Sequence, residues 1–85
     1  MGVFYVYIIR CLDGSFYTGF TKNISTRIHQ HKAKRGAKWT KDHGVQNYTY
    51  MTFSTVHEGR IMELKIKKYS HARKKTFFQT YGTFT

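Results

Sequence analysis

FYVYIIRCLDGSFYTGFT, residues 4–21, decides the fold. Phe4 to Cys11 is aromatic and β-branched, Ser15 to Thr21 is similar, and Asp13-Gly14 lies between them, the composition of two strands joined by a tight turn. The form of that turn sets what the strands present. A two-residue Asp13-Gly14 turn would pair Tyr7 with Phe20 and put Tyr7 and Tyr17 on opposite faces. A three-residue loop of Leu12, Asp13 and Gly14, with Gly14 left-handed, pairs Tyr7 with Gly19 and Ile9 with Tyr17. Both phenols then share one side of the ribbon, and Gly19 leaves space beside the Tyr7 ring.

Beyond the hairpin the period changes. From Asn23, an N-cap, the residues Ile24, Arg27, Ile28, His31 and Arg35 recur at helical spacing until Gly36 ends the run. Ala37 to His43 reads as either a short helix or a loop, closed by Gly44. Val45 to Ser54 is rich in Tyr, Thr, Val and Phe, with Tyr48 and Tyr50 alternating against Thr49, Met51 and Phe53, as a third strand would. His57 to Tyr69 gathers Ile61, Met62, Ile66 and Tyr69 within one arc of a helical wheel. Ser70 caps a further basic helix through Phe78, and the tail 79–85 is expected to be weakly ordered. With no proline, no low-complexity tract and no repeat, residues 1–78 read as one α+β domain.

Composition narrows the class. Hydrophobic residues make up 40% and aromatic residues 18% of the chain, enough to build a core without disulfides. Cys11 is the only cysteine, so it forms neither an internal disulfide nor a thiolate zinc site by itself; it fits a reducing compartment and a small buried position. No apolar stretch approaches the roughly 20 residues that span a bilayer, and the N-terminus lacks signal-peptide features, so an intracellular protein, cytoplasmic or nuclear, is expected without a membrane partner. Fifteen Lys and Arg against four acidic residues give a net charge of +11. That excess points to a polyanion, nucleic acid before anionic lipid, bound with steep salt dependence.

Tyr7, Tyr17 and Arg27 stand ten residues apart in succession, and His31 follows Arg27 by one helical turn. A guanidinium offers a planar fork of donors to a phosphate, and an imidazole relays a proton near neutral pH. The blander reading makes the tyrosines ordinary strand aromatics and leaves Arg27 and His31 solvated. Of the four carboxylates, Asp13 belongs to the turn and Glu58 to a helix start, whereas Glu63 sits at the edge of an apolar arc. It is either a magnesium ligand or the partner of Lys67 in an i, i+4 ion pair. The five histidines have no zinc spacing. Phosphate contacts are assigned to Lys22, Lys34, Arg35, Lys38 and Lys41 before the third strand, and to Lys67, Arg73 and Lys74 after it. Trp39, between Lys38 and Lys41, is read as a core residue. No base-reading helix is evident, so shape is a better determinant of substrate than sequence.

Taken together, these residues resemble the GIY-YIG nuclease superfamily. Tyr5-Val6-Tyr7 looks like its first motif and Tyr17-Thr18-Gly19 like its second, with Arg27 and Glu63 at the family's arginine and metal-ligand positions. Asp13-Gly14-Ser15, Gly36-Ala37-Lys38-Trp39-Thr40 and Ile66-Lys67-Lys68 with Ser70 are similar to the small stand-alone UPF0213-like branch. The resemblance implies a three-stranded antiparallel sheet flanked by helices, and hydrolysis of DNA phosphodiester bonds with one Mg2+ or Mn2+ ion. It implies no small-molecule cofactor; a monomer is the default. By the same resemblance Tyr7 or Tyr17 acts on the attacking water, His31 moves a proton, Arg27 steadies the phosphate, and Glu63 is the metal ligand; Gly14 and Gly19 serve the turn and the close approach. Three departures stand out: Tyr5 replaces the glycine of the first motif, Phe20 stands where many members carry lysine, and no asparagine follows Asn47. The alternative is a nucleic-acid-binding module on the same scaffold that does not cut.

Overall fold

Strand β1 (Phe4–Cys11) lies at the centre of an antiparallel sheet, with β2 (Phe16–Thr21) on one side and β3 (Val45–Phe53) on the other. The computed structural model describes residues 2–80. Helix α1 (Ile24–Lys32) and the short α2 (Lys38–His43) connect β2 to β3, and α3 (Val56–Lys67) and α4 (His71–Thr80) complete the chain. This is the α+β, three-stranded architecture that the sequence implies.

The hairpin takes the three-residue loop. The Gly14 N–H bonds to the Cys11 carbonyl at 3.0 Å, the Cys11 N–H to the Ser15 carbonyl at 2.8 Å, and Gly14 has φ of 87°, which only glycine adopts without cost. Tyr7 therefore faces Gly19, and Ile9 faces Tyr17. On the opposite side β1 meets β3, pairing Tyr7 with Tyr50 and Ile9 with Tyr48.

Strand alternation then divides the interior. Val6 and Ile8 pack with Phe16, Ile66 and Phe78 beneath α3 and α4, while Tyr7, Ile9 and Cys11 pack with Ile28 of α1. Within the stretch 37–43, Lys38–His43 is helical and Ala37 is its extended N-cap, resolving the choice between helix and loop.

Several boundaries differ from the sequence expectation. Helix α1 stops at Lys32, and Arg35 lies outside it. Lys34, at φ 62°, takes the left-handed position, with its N–H on the His31 carbonyl (3.1 Å) and that of Arg35 on the Gln30 carbonyl (2.8 Å), a Schellman closure. Gly36 is not the terminator. A Cβ there would come within 2.4 Å of His31 Nδ1, so its bareness lets the loop lie against that ring. Helix α3 begins one residue early and ends at Lys67, opened by the Thr55 hydroxyl, which accepts from the Glu58 N–H and donates to Glu58 Oε1. Ile61, expected in the core, is 48% exposed because the buried stripe runs through Gly59, Glu63 and Ile66. Helix α4 includes Gln79 and Thr80, against the expectation of a loose tail from Gln79; residues 81–85 lie outside the described residues.

Candidate active site

The site begins with Gly19. A Cβ at that position would lie 2.2 Å from the Tyr7 hydroxyl, so the Tyr7 ring crosses β2 where the strand has no side chain. Tyr7 is 1% exposed, and its hydroxyl meets His31 Nε2 at 2.9 Å. His31, also 1% exposed, reaches Thr40 Oγ1 through Nδ1 at 2.6 Å, and the Thr40 hydroxyl donates to the Ala37 carbonyl at 3.1 Å. That last bond orients the chain. With its proton on Ala37, Thr40 Oγ1 must accept, so Nδ1 carries the imidazole proton and bare Nε2 accepts from the Tyr7 hydroxyl.

Burial and charge keep both members neutral. Burial pushes Tyr7 up to about 12, more than offsetting the bond to the Arg27 guanidinium that pulls it down, with the charges of Tyr17 and Glu63 acting upward. Burial thus outweighs the neighbouring guanidinium, which alone would lower a tyrosine here. Burial also pushes His31 down to about 4, helped by the Arg27 charge. Arg27 is half-buried, held to Gln30 Oε1 at 3.0 Å, and acts on both groups. The half-buried Tyr17 completes the cluster, its ring centroid 6.4 Å from Tyr7 and 5.3 Å from His31. The structure therefore brings together Tyr7, Tyr17, Arg27 and His31.

Glu63 comes from α3, close enough for its charge to act on the Tyr7 hydroxyl. It is 6% exposed, and both oxygens are paired: Oε1 with Arg60 at 2.9 Å, Oε2 with Lys67 at 3.0 Å. The ion pair with Lys67 exists, but around a buried carboxylate. Arg60 also lies over the Phe20 ring at 4.3 Å, so that aromatic steadies the guanidinium that holds Glu63. Among the described residues no group of three or more His, Cys, Asp or Glu side chains gathers. A lone carboxylate is nevertheless a hard oxygen donor of the kind magnesium takes together with water and phosphate oxygens. The donor chemistry fits, provided that Arg60 or Lys67 releases an oxygen.

The cations assigned to phosphate come from several elements. Lys67 and Lys74 border Tyr17, whereas Arg73 stacks on Tyr69 at 4.4 Å in a separate cleft on α4. Lys38 pairs with Asp42 at 3.6 Å, and Lys22, Lys34, Arg35 and Lys41 are exposed around α1 and α2. Trp39 is 45% exposed and is not a core residue. Sequence reasoning missed Thr40 and Arg60 as contributors to the site. Arg60 was open to discovery, since it stands at i−3 from Glu63 on a helix; Thr40 depends on a loop path that no spacing rule specifies.

Comparison with known proteins places this chain among relatives. The family described as "GIY-YIG catalytic domain" matches residues 3–76. UPF0213 protein SH2523 of Staphylococcus haemolyticus is 41% identical over 75 residues, covering 87% of this chain and 92% of that protein. A UPF0213 protein of Limosilactobacillus reuteri is 33% identical over 82 residues, covering 93% and 85%. The solution NMR structure of UPF0213 protein BH0048 from Bacillus halodurans superposes with a TM-score of 0.59 at 32% identity, covering 94% of this chain and 86% of that one.

Proposed function

The chain belongs to the GIY-YIG family, and from that premise we propose that it is a metal-dependent endonuclease hydrolysing DNA phosphodiester bonds. The observation that carries the reading is the directed path from the Tyr7 hydroxyl to His31 Nε2, 2.9 Å long, beside the Arg27 guanidinium. Arg27 takes the non-bridging oxygens of the phosphate. The arriving negative charge offsets the guanidinium that helps to hold His31 down, so substrate binding raises the basicity of the imidazole. As water oxygen bonds to phosphorus, Tyr7 takes the water proton and hands its own to Nε2, while Nδ1–H stays on Thr40. The ester oxygen leaves and is protonated from solvent. Tyr17 orients the water from its place beside both rings.

Glu63 is the residue that would hold one Mg2+ or Mn2+ ion, which when bound supplies Lewis-acid stabilisation of charge on the phosphate. A domain of 85 residues has little surface for long sequence readout, which supports structure- or damage-directed cutting, of the kind repair or recombination requires. No helix among the described residues is long and apolar enough to cross a membrane.

One observation favours a binding module without turnover: both Glu63 oxygens are already engaged. Nicking of duplex, single-stranded and branched DNA with and without magnesium separates the two. The nuclease reading expects Glu63→Gln to lose on the order of 100-fold or more in cutting rate while retaining DNA affinity. Wild-type protein that binds but never cuts, or a variant that cuts as well as wild type, sinks it.

A further inference from the structure

Along the outer edge of β2 runs a groove of about 350 Å³, lined by Phe16, Tyr17, Thr18, Trp39, Lys67 and Lys74. Trp39 stands out in it because it is exposed and yet held. Its Nε1–H donates to Ser15 Oγ at 3.2 Å, and the Ser15 hydroxyl donates to Asp13 Oδ1 at 2.6 Å. The other oxygen of Asp13 pairs with His43 Nδ1 at 2.5 Å. His43 in turn stacks on the indole, with centroids 4.1 Å apart and planes 27° from parallel. One carboxylate at the hairpin turn thus secures both the ring that backs the indole and the hydroxyl that takes its N–H.

A ring fixed in one orientation loses little freedom when another ring stacks on it, so Trp39 is preorganised for a planar ligand. Lys67 and Lys74 supply the positive charge that a phosphate needs. Thr18 adds a polar group: the residue is 4% exposed, and its hydroxyl has no hydrogen-bond partner among the described residues. Tyr17 belongs to this groove and to the catalytic cluster, so whatever fills the groove lies beside the cutting site.

We propose that the groove binds an unpaired nucleotide next to the phosphodiester that is cut, with its base stacked on Trp39 and its phosphate on Lys67 and Lys74. A nucleotide supplies both the ring and the anion that the groove selects; an acidic peptide supplies only the anion, and a base inside duplex is already stacked and cannot reach the indole. The proposal deepens the nuclease reading by naming a substrate class, a nucleic acid with a single-stranded segment, and rests on that reading only for the position of the cut.

Trp39 is the only tryptophan in the chain, so its fluorescence reports the groove directly. Titrations in chelator without metal would use an oligothymidylate, an oligouridylate, a blunt DNA duplex of equal length and polyglutamate. Quenching by a single-stranded oligonucleotide, with little from duplex or polyglutamate at equal saturation, is the expected result, and the stronger of the two sugars names the source of the strand. Trp39→Leu should weaken a labelled oligothymidylate about tenfold and leave duplex affinity unchanged, with most of the loss restored in Trp39→Phe. Absence of quenching, equal quenching by duplex, or equal loss of both ligands in Trp39→Leu overturns the assignment. If Trp39→Leu fails to fold, the wild-type titration and Trp39→Phe still decide. No step requires cleavage: a flat titration beside intact Glu63-dependent cutting removes the groove alone, whereas quenching without any cutting removes the nuclease reading alone.

Discussion

Val6 and Ile8 point to one side of the central strand and Tyr7 and Ile9 to the other, and the two sides are built from different chemistry. The first is closed by Phe16, Ile66 and Phe78, with Phe20, Met51 and Phe53 around them. The second buries a polar chain, Tyr7 to His31 to Thr40, among fewer apolar neighbours. A strand changes face with every residue, so a single β1 supplies a dry layer for stability and, one position along, a phenol for chemistry. The expectation is that damage to the first face costs folding, and damage to the second costs proton transfer.

Phe78→Ala should break the apolar side most severely. The ring is 1% exposed and its loss leaves a cavity, for which about 3–5 kcal/mol of stability is expected. Urea unfolding measures the loss, and cutting per folded molecule should hold at low temperature. A fall in specific cutting at full folding would show that the two faces are not separate. The polar side should instead declare itself through pH. His31 drops from 6.5 to about 4 on folding, so the folded protein binds fewer protons between those values and stability falls as pH is lowered through that window. The effect is on the order of 2–3 kcal/mol and should flatten in His31→Gln. Asp13, held at about 2 by its bonds from Ser15, weakens only below its ordinary 3.8, so the two windows are distinct. A wild-type profile that is level from pH 7 to 4 would show that His31 is not kept neutral.

How much of this could be read in advance varies by residue. Of the two registers the sequence permits, only the three-residue loop puts Phe16 on the same side as Val6 and Ile8, where Ile66 and Phe78 can cover it. Burial made that choice; both turns tolerate Gly14. The convergence of Tyr7, Tyr17, Arg27 and His31 followed once the register was fixed. The direction of the Tyr7 shift did not, because it depends on how completely the phenol is buried, and burial outweighs the guanidinium. Trp39 was misread for a related reason: a tryptophan is ordinarily an efficient source of buried area, and nothing in its flanking lysines reveals that Ser15 and His43 fix it at the surface. Helix α1 stops early because Lys34 accepts a left-handed conformation, leaving Gly36 free to approach His31.

The sharpest test of the division is also the one with the smallest expected effect on stability. Thr40→Val keeps the shape of a fully buried side chain and removes the oxygen that accepts from His31 Nδ1. The imidazole can then move its proton to Nε2, which turns the bond with Tyr7 around: Nε2–H donates and the phenol oxygen accepts. The bare Nδ1 and the Ala37 carbonyl each lose a partner, for about 1–2 kcal/mol together. The stability change is minor, but Nε2 is no longer bare and Tyr7 has nowhere to pass its proton, so cutting should fall by about 100-fold or more. The 15N shifts of the His31 ring distinguish the two tautomers without reference to activity. If the ring keeps its proton on Nδ1 in Thr40→Val and cutting is unchanged, the orientation of the relay does not come from Thr40, and the polar face contributes packing alone.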